Sequence, residues 1–471
     1  MSLSIGQVLP SMRIHPKYVS KRGIPTKILK QLIIMESKFS FFTLFIFAVC
    51  LALTASKSLS QPMDEAFLFG DSLPDAPELA ARGNYRVGVK TIDLIDKDRP
   101  DILKHEGDST PNYDRTLKVE IWYPAIIPHT GKEIEVYHHT LGLFGQEDRP
   151  LIPITFKGRA LRDAEADRSG GEYPLIILSH GYPGSRLIFT YLSENLASKG
   201  YVVASIDHTE STYYDAGPFP STLINRSLDQ LFVLDEFERL SQPDSRSFLS
   251  GLLDARSTGI AGYSMGGYGV LNVAGAGYSD EYVKAFKGIT EGSDALASRG
   301  ISSEAYGDSL DERIKAIVAF APWGMERGVW DAEGLAGLAI PTLFVAGSHD
   351  DVSGYEKGVR AIYEGAVNAD RYLLTYLNAR HNVAPIPPPP ETLKPDLNLI
   401  EYLRYADSVW DERRINNINQ HFLTAFFGIH LKNTADYKEY LEISNTKNDE
   451  AWKGFKPRTS VGLELRHATA R

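Results

Sequence analysis

The apolar positions of this chain fall into runs of two kinds. Residues 85–92 and 117–123 alternate apolar and polar side chains, and this period of two predicts two half-exposed, antiparallel strands. Later runs are almost continuously apolar, which is typical of strands buried on both faces of a parallel sheet. These later runs cover residues 174–179, 201–207, 314–320, 340–346 and 371–377. The pattern predicts a mostly parallel sheet with an antiparallel N-terminal edge.

Segments with helical spacing lie between the buried strands and after the last of them. They cover residues 187–199, 225–240, 268–274 and 416–431. Alternation of strand, loop and helix predicts an α/β fold, because a crossover helix brings the chain back to start the next parallel strand. We expect helices on both faces of the sheet. Polar insertions interrupt the alternation near residues 125–172, 208–222, 275–312 and 382–412.

The strongest apolar run, residues 39–53, has the length of a signal-peptide core and is short for a membrane span. Met35 precedes it as an alternative start. We interpret residues 1–60 as an N-terminal extension and signal peptide, the signal itself at about residues 35–60, and residues 61–471 as a single domain. An uncleaved membrane anchor is the alternative. The pattern predicts a secreted or periplasmic protein with no stable membrane span after the leader is cleaved.

Charge and cysteine content narrow the range of partners. The chain has a formal net charge of −10, and residues 1–60 hold eight basic residues and one acidic residue. Residues 61–471 therefore hold 42 basic and 59 acidic residues, a net charge of −17. This balance argues against nucleic acid and anionic membrane surfaces as partners. The single cysteine, Cys50, lies in the apolar run, so the mature domain is predicted to lack thiols and disulfides.

Residues 262–266 read Gly-Tyr-Ser-Met-Gly, the G-x-S-x-G pattern of a nucleophile elbow. A strand-like run, 257–261, precedes this pattern, and the predicted helix 268–274 follows it. The turn holds the serine in a strained backbone conformation, and glycines flank it because a Cβ there would collide with the neighbouring strand or helix. Ser264 is therefore the candidate nucleophile.

A serine hydroxyl becomes a good nucleophile when a base takes its proton and an acid holds that base. After an elbow of this kind the chain order is serine, acid, histidine, each at a strand end. Asp350 and Asp351 follow one buried strand, and His381 follows the next. We prefer Asp350 as the acid because it lies three residues after Gly347, and Asp351 is the alternative.

The oxyanion formed in acyl transfer needs two backbone N–H donors. Met265, directly after the nucleophile, is the first candidate. The second is Tyr182, in the tight loop that follows the strand 174–179. His180 lies in the same loop, and we expect it to pack or hydrogen bond there instead of taking part in catalysis.

Aromatic residues near these loops are candidates for an apolar substrate-binding wall. They are Trp323, Tyr213 and Tyr214, with Trp330 beside them, and ordinary packing is the alternative for each. Segments that leave the carboxyl ends of the strands, 208–222, 321–339 and 382–412, are expected to stand over the nucleophile. We expect them to set specificity and to disfavour bulky polymers. The insertion 275–312 is expected to start on the opposite face.

Several segments resemble the α/β-hydrolase branch that holds platelet-activating-factor acetylhydrolases, dienelactone-hydrolase-like esterases and bacterial polyester hydrolases. They are residues 179–182 (Ser-His-Gly-Tyr), 262–267 (Gly-Tyr-Ser-Met-Gly-Gly), 321–323 (Ala-Pro-Trp) and His381. The resemblance spans residues 85–431, with insertions, and implies an α/β-hydrolase fold and a serine ester hydrolase that needs no metal or other cofactor. It also implies that Trp323 lines the substrate cleft and that Tyr182 donates to the oxyanion. The polyester hydrolases are much shorter, so an open cleft for a polymer is not implied.

Together these patterns predict an exported serine hydrolase that cleaves small-molecule carboxylic esters through an acyl-enzyme intermediate. A serine peptidase of the same fold is one alternative, although the sequence carries no visible propeller or binder for a peptide N-terminus. A non-catalytic binding protein that kept the fold is the other. Such proteins usually lose the nucleophile or the base, and both are present here. The sequence leaves the oligomeric state open.

Overall fold

A computed structural model describes residues 67–128, 130–142, 151–306, 310–442 and 452–471. The predicted leader, including Met35 and Cys50, lies outside these residues. Contacts group Phe67–Arg471 as a single unit, while the division of the chain at residue 60 stays a prediction. Within the described ranges, the helices are too short or too polar to cross a membrane.

The strands alternate with helices along most of the chain. They are β1 Arg86–Pro100, β2 Asn112–Ile126, β3 Glu135–Leu141, β4 Ile152–Gly158, β5 Leu161–Arg162, β6 Glu165–Ala166, β7 Tyr173–Ser179, β8 Val202–Asp207, β9 Leu253–Tyr263, β10 Ile314–Phe320, β11 Thr342–Gly347, β12 Arg371–Tyr376 and β13 Leu463–Ala468. Eleven of these described strands form one sheet in the order β13-β12-β11-β10-β9-β7-β8-β2-β1-β5, with β6 beside β2, and β3 and β4 form a separate hairpin.

The centre of the sheet is parallel and its edges are antiparallel. Strands β8, β7, β9, β10, β11 and β12 run parallel to one another. Strand β2 pairs antiparallel with β1 and β8, and β13 pairs antiparallel with β12. Because the parallel strands all point the same way, the loops after β7, β9, β11 and β12 emerge at one edge of the sheet. This topology, with a strand–serine–helix turn after β9, is that of an α/β-hydrolase, and the predicted fold class is confirmed.

Helices cover both faces of the sheet, as predicted. They are α1 Thr190–Ser198, α2 Phe219–Ser241, α3 Met265–Val273, α4 Asp280–Ile289, α5 Ala332–Ala336, α6 Arg360–Gly365, α7 Leu399–Leu403 and α8 Glu412–Lys432. Successive side chains of a strand point to opposite faces. Ile176 and Leu178 of β7 therefore join the apolar core under α1 and α8, while Leu175 and Ile177 join the core under α2 and α3.

The insertion 125–172 contains more regular structure than its polar composition predicted. It includes the β3–β4 hairpin, and Trp122 Nε1 of β2 donates a hydrogen bond to Tyr137 Oη of β3 at 2.8 Å. The hairpin joins the core on this face, so residues 119–125 of β2 are buried. The expectation that β2 is half-exposed was wrong because the hairpin that follows it covers one of its faces.

Two helices begin earlier than predicted. Helix α2 starts at Phe219, with Pro220 in its first turn, where the missing N–H of proline costs nothing because that position has no intrahelical acceptor. Helix α8 starts at Glu412, since the side chain of Asp411 accepts a hydrogen bond from Arg413 N and caps the helix. Both helices therefore include polar residues that the hydrophobic spacing alone did not predict to be helical.

Candidate active site

Ser264 has a backbone conformation that residues other than glycine rarely adopt. Its φ is 54° and its ψ is −112°, at the junction between β9 and α3. A Cβ on Gly262 would come within 2.3 Å of Gly266 C, and a Cβ on Gly266 would come within 2.0 Å of Ser179 O. Ser264 N donates to Phe320 O at 2.8 Å, which fixes the turn to β10. The structure therefore places the serine on a tight elbow that only glycine permits on either side.

His381 and Asp350 meet at the ends of β12 and β11. His381 Nδ1 lies 3.0 Å from each carboxylate oxygen of Asp350. Asp350 Oδ1 also accepts from the backbone N–H groups of Val352 and Ser353, each at 2.9 Å. The side chain of Asp350 is fully buried. An ionised carboxylate held in this way orients the imidazole so that Nε2 faces away from it.

The other candidate acid, Asp351, is placed differently. Its carboxylate pairs with the guanidinium of Arg380, and both side chains are nearly half exposed. Asp350 therefore faces the imidazole, and Asp351 forms a surface ion pair beside it.

Tyr263 brings the imidazole to the elbow. The ring centroids of Tyr263 and His381 are 5.0 Å apart, and Tyr263 precedes Ser264. The hydrogen bonds between described residues do not include one from Ser264 Oγ to His381. Such bonds are often long in unliganded enzymes and tighten when substrate binds.

The two candidate oxyanion donors lie on either side of Ser264. Met265 is the first residue of α3, where backbone N–H groups have no intrahelical acceptor. Tyr182 lies in the loop after β7, and a Cβ on the preceding Gly181 would come within 3.3 Å of Ser264 Cβ. This close approach brings the Gly181–Tyr182 peptide up to the nucleophile.

The structure brings together only part of the predicted aromatic wall. The rings of Tyr182, Phe219 and Trp323 pack edge to face, with centroids 5.2 Å and 5.3 Å apart. Trp323 N also donates to Ser264 O at 3.2 Å. All three rings are partly exposed. Phe219 belongs to segment 208–222, which was expected to stand over the nucleophile.

Tyr213, Tyr214 and Trp330 do not belong to this group of rings. Tyr213 is buried, and the guanidinium of Arg404 lies 4.7 Å from its ring centroid. Tyr214 is 51% exposed. Trp330 is buried, and its Nε1 donates to Asn272 Oδ1. The sequence could not distinguish aromatic residues beside the nucleophile from those packed elsewhere, since all of them lie on loops near strand ends.

The proline-rich segment 385–390 is packed into the protein. Ile386 N donates to Ile188 O at 2.9 Å, and Asn416 Nδ2 of α8 donates to Pro385 O at 2.8 Å. Residues 383–387 are buried. Both its backbone and its side chains are therefore held by neighbouring segments, and the expectation that segment 382–412 stands over the nucleophile stays a prediction.

Sequence reasoning missed a buried polar network under the loop after β7. His208 Nδ1 donates to Asp229 Oδ2 at 2.9 Å, and its Nε2 lies 2.8 Å from Ser179 Oγ. Burial lowers the pKa of His208 to about 3, so its imidazole is neutral. Arg226 Nη1 donates to His180 O at 2.8 Å. The available signal was helical spacing, since Arg226 and Asp229 lie three residues apart and share one face of α2.

One cation near the site is paired with carboxylates. Arg186, which follows the loop after β7, donates to Glu120 and Asp207 at 2.9 Å and 2.5 Å. Among the described residues, no group of three or more histidine, cysteine or acidic side chains is placed to hold a metal ion.

Comparison with known proteins supports an esterase-like relationship. Residues 156–216 match the family model described as platelet-activating factor acetylhydrolase, isoform II. Cutinase est1 of Thermobifida alba is 23% identical over 215 residues, 45% of this chain and 55% of that protein. Cutinase 2 of Thermobifida cellulosilytica is 29% identical over 42% of this chain and 55% of its own length. Platelet-activating factor acetylhydrolase of Bos taurus is 45% identical over 51 residues, 10% of this chain and 12% of its own.

A solved structure of a ferulic acid esterase from Streptomyces cinnamoneus aligns with 76% of this chain and 94% of its own, at a TM-score of 0.48 and 21% identity. The alignments to the cutinases span about half the length of those relatives. The predicted resemblance to the esterase branch of the α/β-hydrolases is confirmed.

Proposed function

We propose that this chain is a serine hydrolase of carboxylic esters, with Ser264 as nucleophile, His381 as general base and Asp350 as the acid that orients it. The observation that carries the proposal is the combination of the Ser264 elbow with the His381–Asp350 pair at neighbouring strand ends. The similarity to proteins named cutinase and acetylhydrolase supports the same reaction class.

In the proposed reaction, Ser264 Oγ attacks the ester carbonyl carbon while His381 Nε2 takes the hydroxyl proton. The carbonyl oxygen becomes an oxyanion, which accepts hydrogen bonds from the N–H groups of Met265 and Tyr182. His381 then gives its proton to the leaving alkoxide, which departs as an alcohol and leaves an acyl-serine. Water, deprotonated by His381, cleaves the acyl-serine to a carboxylic acid and restores the Ser264 hydroxyl.

The substrate that fits this surface is a neutral ester with a short or medium acyl chain. Tyr182, Phe219 and Trp323 offer an apolar wall beside the nucleophile. An anionic substrate would need a positioned cation, and Arg186 and Arg380 are engaged with carboxylates. We expect ester turnover to exceed turnover of the matching amides.

Two measurements separate the ester hydrolase from the peptidase and the binding protein. A fluorophosphonate probe should label the wild type and leave Ser264→Ala unlabelled. p-Nitrophenyl esters of increasing chain length should be hydrolysed faster than aminoacyl anilides. Comparable anilide turnover would favour the peptidase, and no labelling with no turnover would favour the binding protein.

We also propose that the protein is exported, on the basis of the apolar run 39–53. Expression of the full chain in a secreting host should yield extracellular protein whose N-terminal sequence starts near residue 61. Recovery of the intact N-terminus in the membrane fraction would contradict this proposal and favour an anchor.

A further inference from the structure

Arg226 is a buried cation that donates hydrogen bonds to the loops after β7 and β8. It is 1% exposed and lies in α2. Its Nη1 donates to His180 O at 2.8 Å, and its Nη2 donates to Gly181 O at 3.5 Å and to Ser211 Oγ. Within the described residues its hydrogen-bond acceptors are all neutral oxygens. Burying a charge without a paired carboxylate is costly, so the burial of Arg226 needs a structural or functional explanation.

The nearest carboxylate on α2 is committed elsewhere. Asp229 accepts a bidentate pair of hydrogen bonds from Arg115, at 2.9 Å and 3.0 Å, and one from Arg99 at 3.1 Å. It also accepts from His208. Burial lowers the pKa of Arg226 to about 9, which leaves the guanidinium charged at neutral pH.

His180 completes the support of the same loop. Its Nε2 accepts a hydrogen bond from His208 N at 3.1 Å, so its proton must be on Nδ1, which donates to Gly181 O at 2.6 Å. Burial, and then the charge of Arg226, lowers the pKa of His180 well below its usual range. A neutral imidazole and a guanidinium therefore hold the same carbonyl.

The position of the Gly181 carbonyl determines the direction of the Tyr182 N–H. The C=O of Gly181 and the N–H of Tyr182 belong to one peptide unit, and in a trans peptide they point in opposite directions. Arg226 lies in α2 and draws the carbonyl oxygen toward that helix, so the Tyr182 N–H is turned away from α2. Gly181 lies against Ser264, so this N–H is turned toward the nucleophile's side of the loop.

We propose that Arg226 is a positioning residue for the oxyanion hole: it fixes the His180–Gly181 carbonyls so that Tyr182 N–H is aimed at the reacting carbonyl oxygen. The inference rests on the proposed ester hydrolysis for its kinetic consequence. Its structural consequence, an ordered 179–184 loop, does not depend on that activity.

The test compares Arg226→Met with Arg371→Met. Arg371 is a matched control because it is also a buried arginine that donates to backbone carbonyls, those of Tyr363, Ala369 and Thr469. Arg226→Met should lower kcat for p-nitrophenyl acetate about 10²-fold, similar to the loss of one oxyanion donor, with KM changed by less than about threefold. Arg371→Met should lower the melting temperature and leave kcat within about twofold of the wild type.

Backbone hydrogen exchange of residues 179–184 is the second measurement. It should rise in Arg226→Met and stay at the wild-type level in Arg371→Met. Wild-type kcat together with wild-type exchange in Arg226→Met would overturn the inference. If the wild type hydrolyses no ester, the proposed function fails, and the exchange of this loop alone decides whether Arg226 positions it.

A more conservative variant covers the case in which Arg226→Met does not fold. Arg226→Lys keeps a cation, but a single ammonium on a shorter reach cannot replace the planar fork of donors. We expect it to fold and to lose at least about tenfold in kcat, with faster exchange of residues 179–184. Full activity and unchanged exchange in Arg226→Lys would show that the geometry of the donors is irrelevant and would overturn the proposal.

Discussion

Tyr263 Oη donates a hydrogen bond to Asn382 Oδ1 at 2.9 Å, and this joins the residue before Ser264 to the residue after His381. The Tyr263 ring also packs against the imidazole of His381. Since Ser264 and His381 follow different strands, this contact links the candidate nucleophile and base directly.

Tyr263→Phe tests this contact. It keeps the ring packing and removes one hydrogen bond, whose net worth is about 0.5–1.5 kcal/mol, so we expect kcat to fall about threefold to tenfold with little change in KM. Tyr123→Phe is the control, because it loses a similar hydrogen bond to Ala164 O at the other side of the sheet. Equal kcat values for the two variants would mean that the contact has no effect on the site.

Ser264→Ala and His381→Ala test whether these two residues act as a unit. Each should lower kcat for a p-nitrophenyl ester by about 10³-fold or more, and the double variant should lose little beyond either one. Losses that add on a logarithmic scale would contradict the assignment.

Asp350→Asn and Asp351→Asn should differ sharply. An amide at 350 would hold the imidazole in the wrong tautomer, which lowers kcat by about 10⁴-fold in a serine triad while the fold is kept. Asp351 contacts Arg380 at the surface, so its substitution should change kcat by less than about threefold, in line with the small energies of exposed ion pairs. A crippled Asp351→Asn beside a mild Asp350→Asn would exchange their roles.

Glu194 predicts a pH dependence of stability. Its carboxylate is buried and accepts from Tyr137 Oη and Arg159 N, and burial raises its pKa from 4.5 to about 7. Between pH 4.5 and 7, Glu194 is ionised in the unfolded chain and protonated in the native protein. The free energy of unfolding therefore falls as the pH rises from 4.5 to 7 and is constant above pH 7. The loss is at most roughly 3 kcal/mol, since one pKa unit corresponds to 1.36 kcal/mol.

Urea unfolding of Glu194→Gln across this pH range provides the measurement. The variant should lack most of the decrease in the wild type, because its amide does not titrate. Glu356→Gln removes an exposed charge and should keep the wild-type pH dependence. Parallel curves for the wild type and Glu194→Gln would refute the prediction.

The local pattern of the sequence was enough to predict the fold and to point to Ser264. Continuous apolar runs specify strands that must be buried on both faces, and a parallel sheet is the arrangement that buries them. The glycines at 262 and 266 specify a turn that other residues cannot adopt. These features depend on neighbours within a few positions, so they can be read along the chain.

The burial of polar and aromatic side chains depended on contacts between distant segments. Arg226 and Asp229 have the spacing of a solvated helix face, and they are buried because α2 packs against the loop after β7. Tyr213 is buried by Arg404, nearly two hundred positions away. Spacing from Gly347 favoured Asp350 over the adjacent Asp351, but only the approach of His381 shows which carboxylate faces the imidazole.

The sequence alone thus determined the order of strands and helices, the elbow and the order of its candidate partners. Hydrophobic periodicity and steric limits depend on residues that lie close together in the sequence. The tertiary structure decided that Asp350 and not Asp351 faces the imidazole, which aromatic rings pack beside the nucleophile and which cation holds the loop after β7. Those outcomes depend on the desolvation and hydrogen bonding of side chains by segments far away in the chain, and no local pattern encodes which segments will meet.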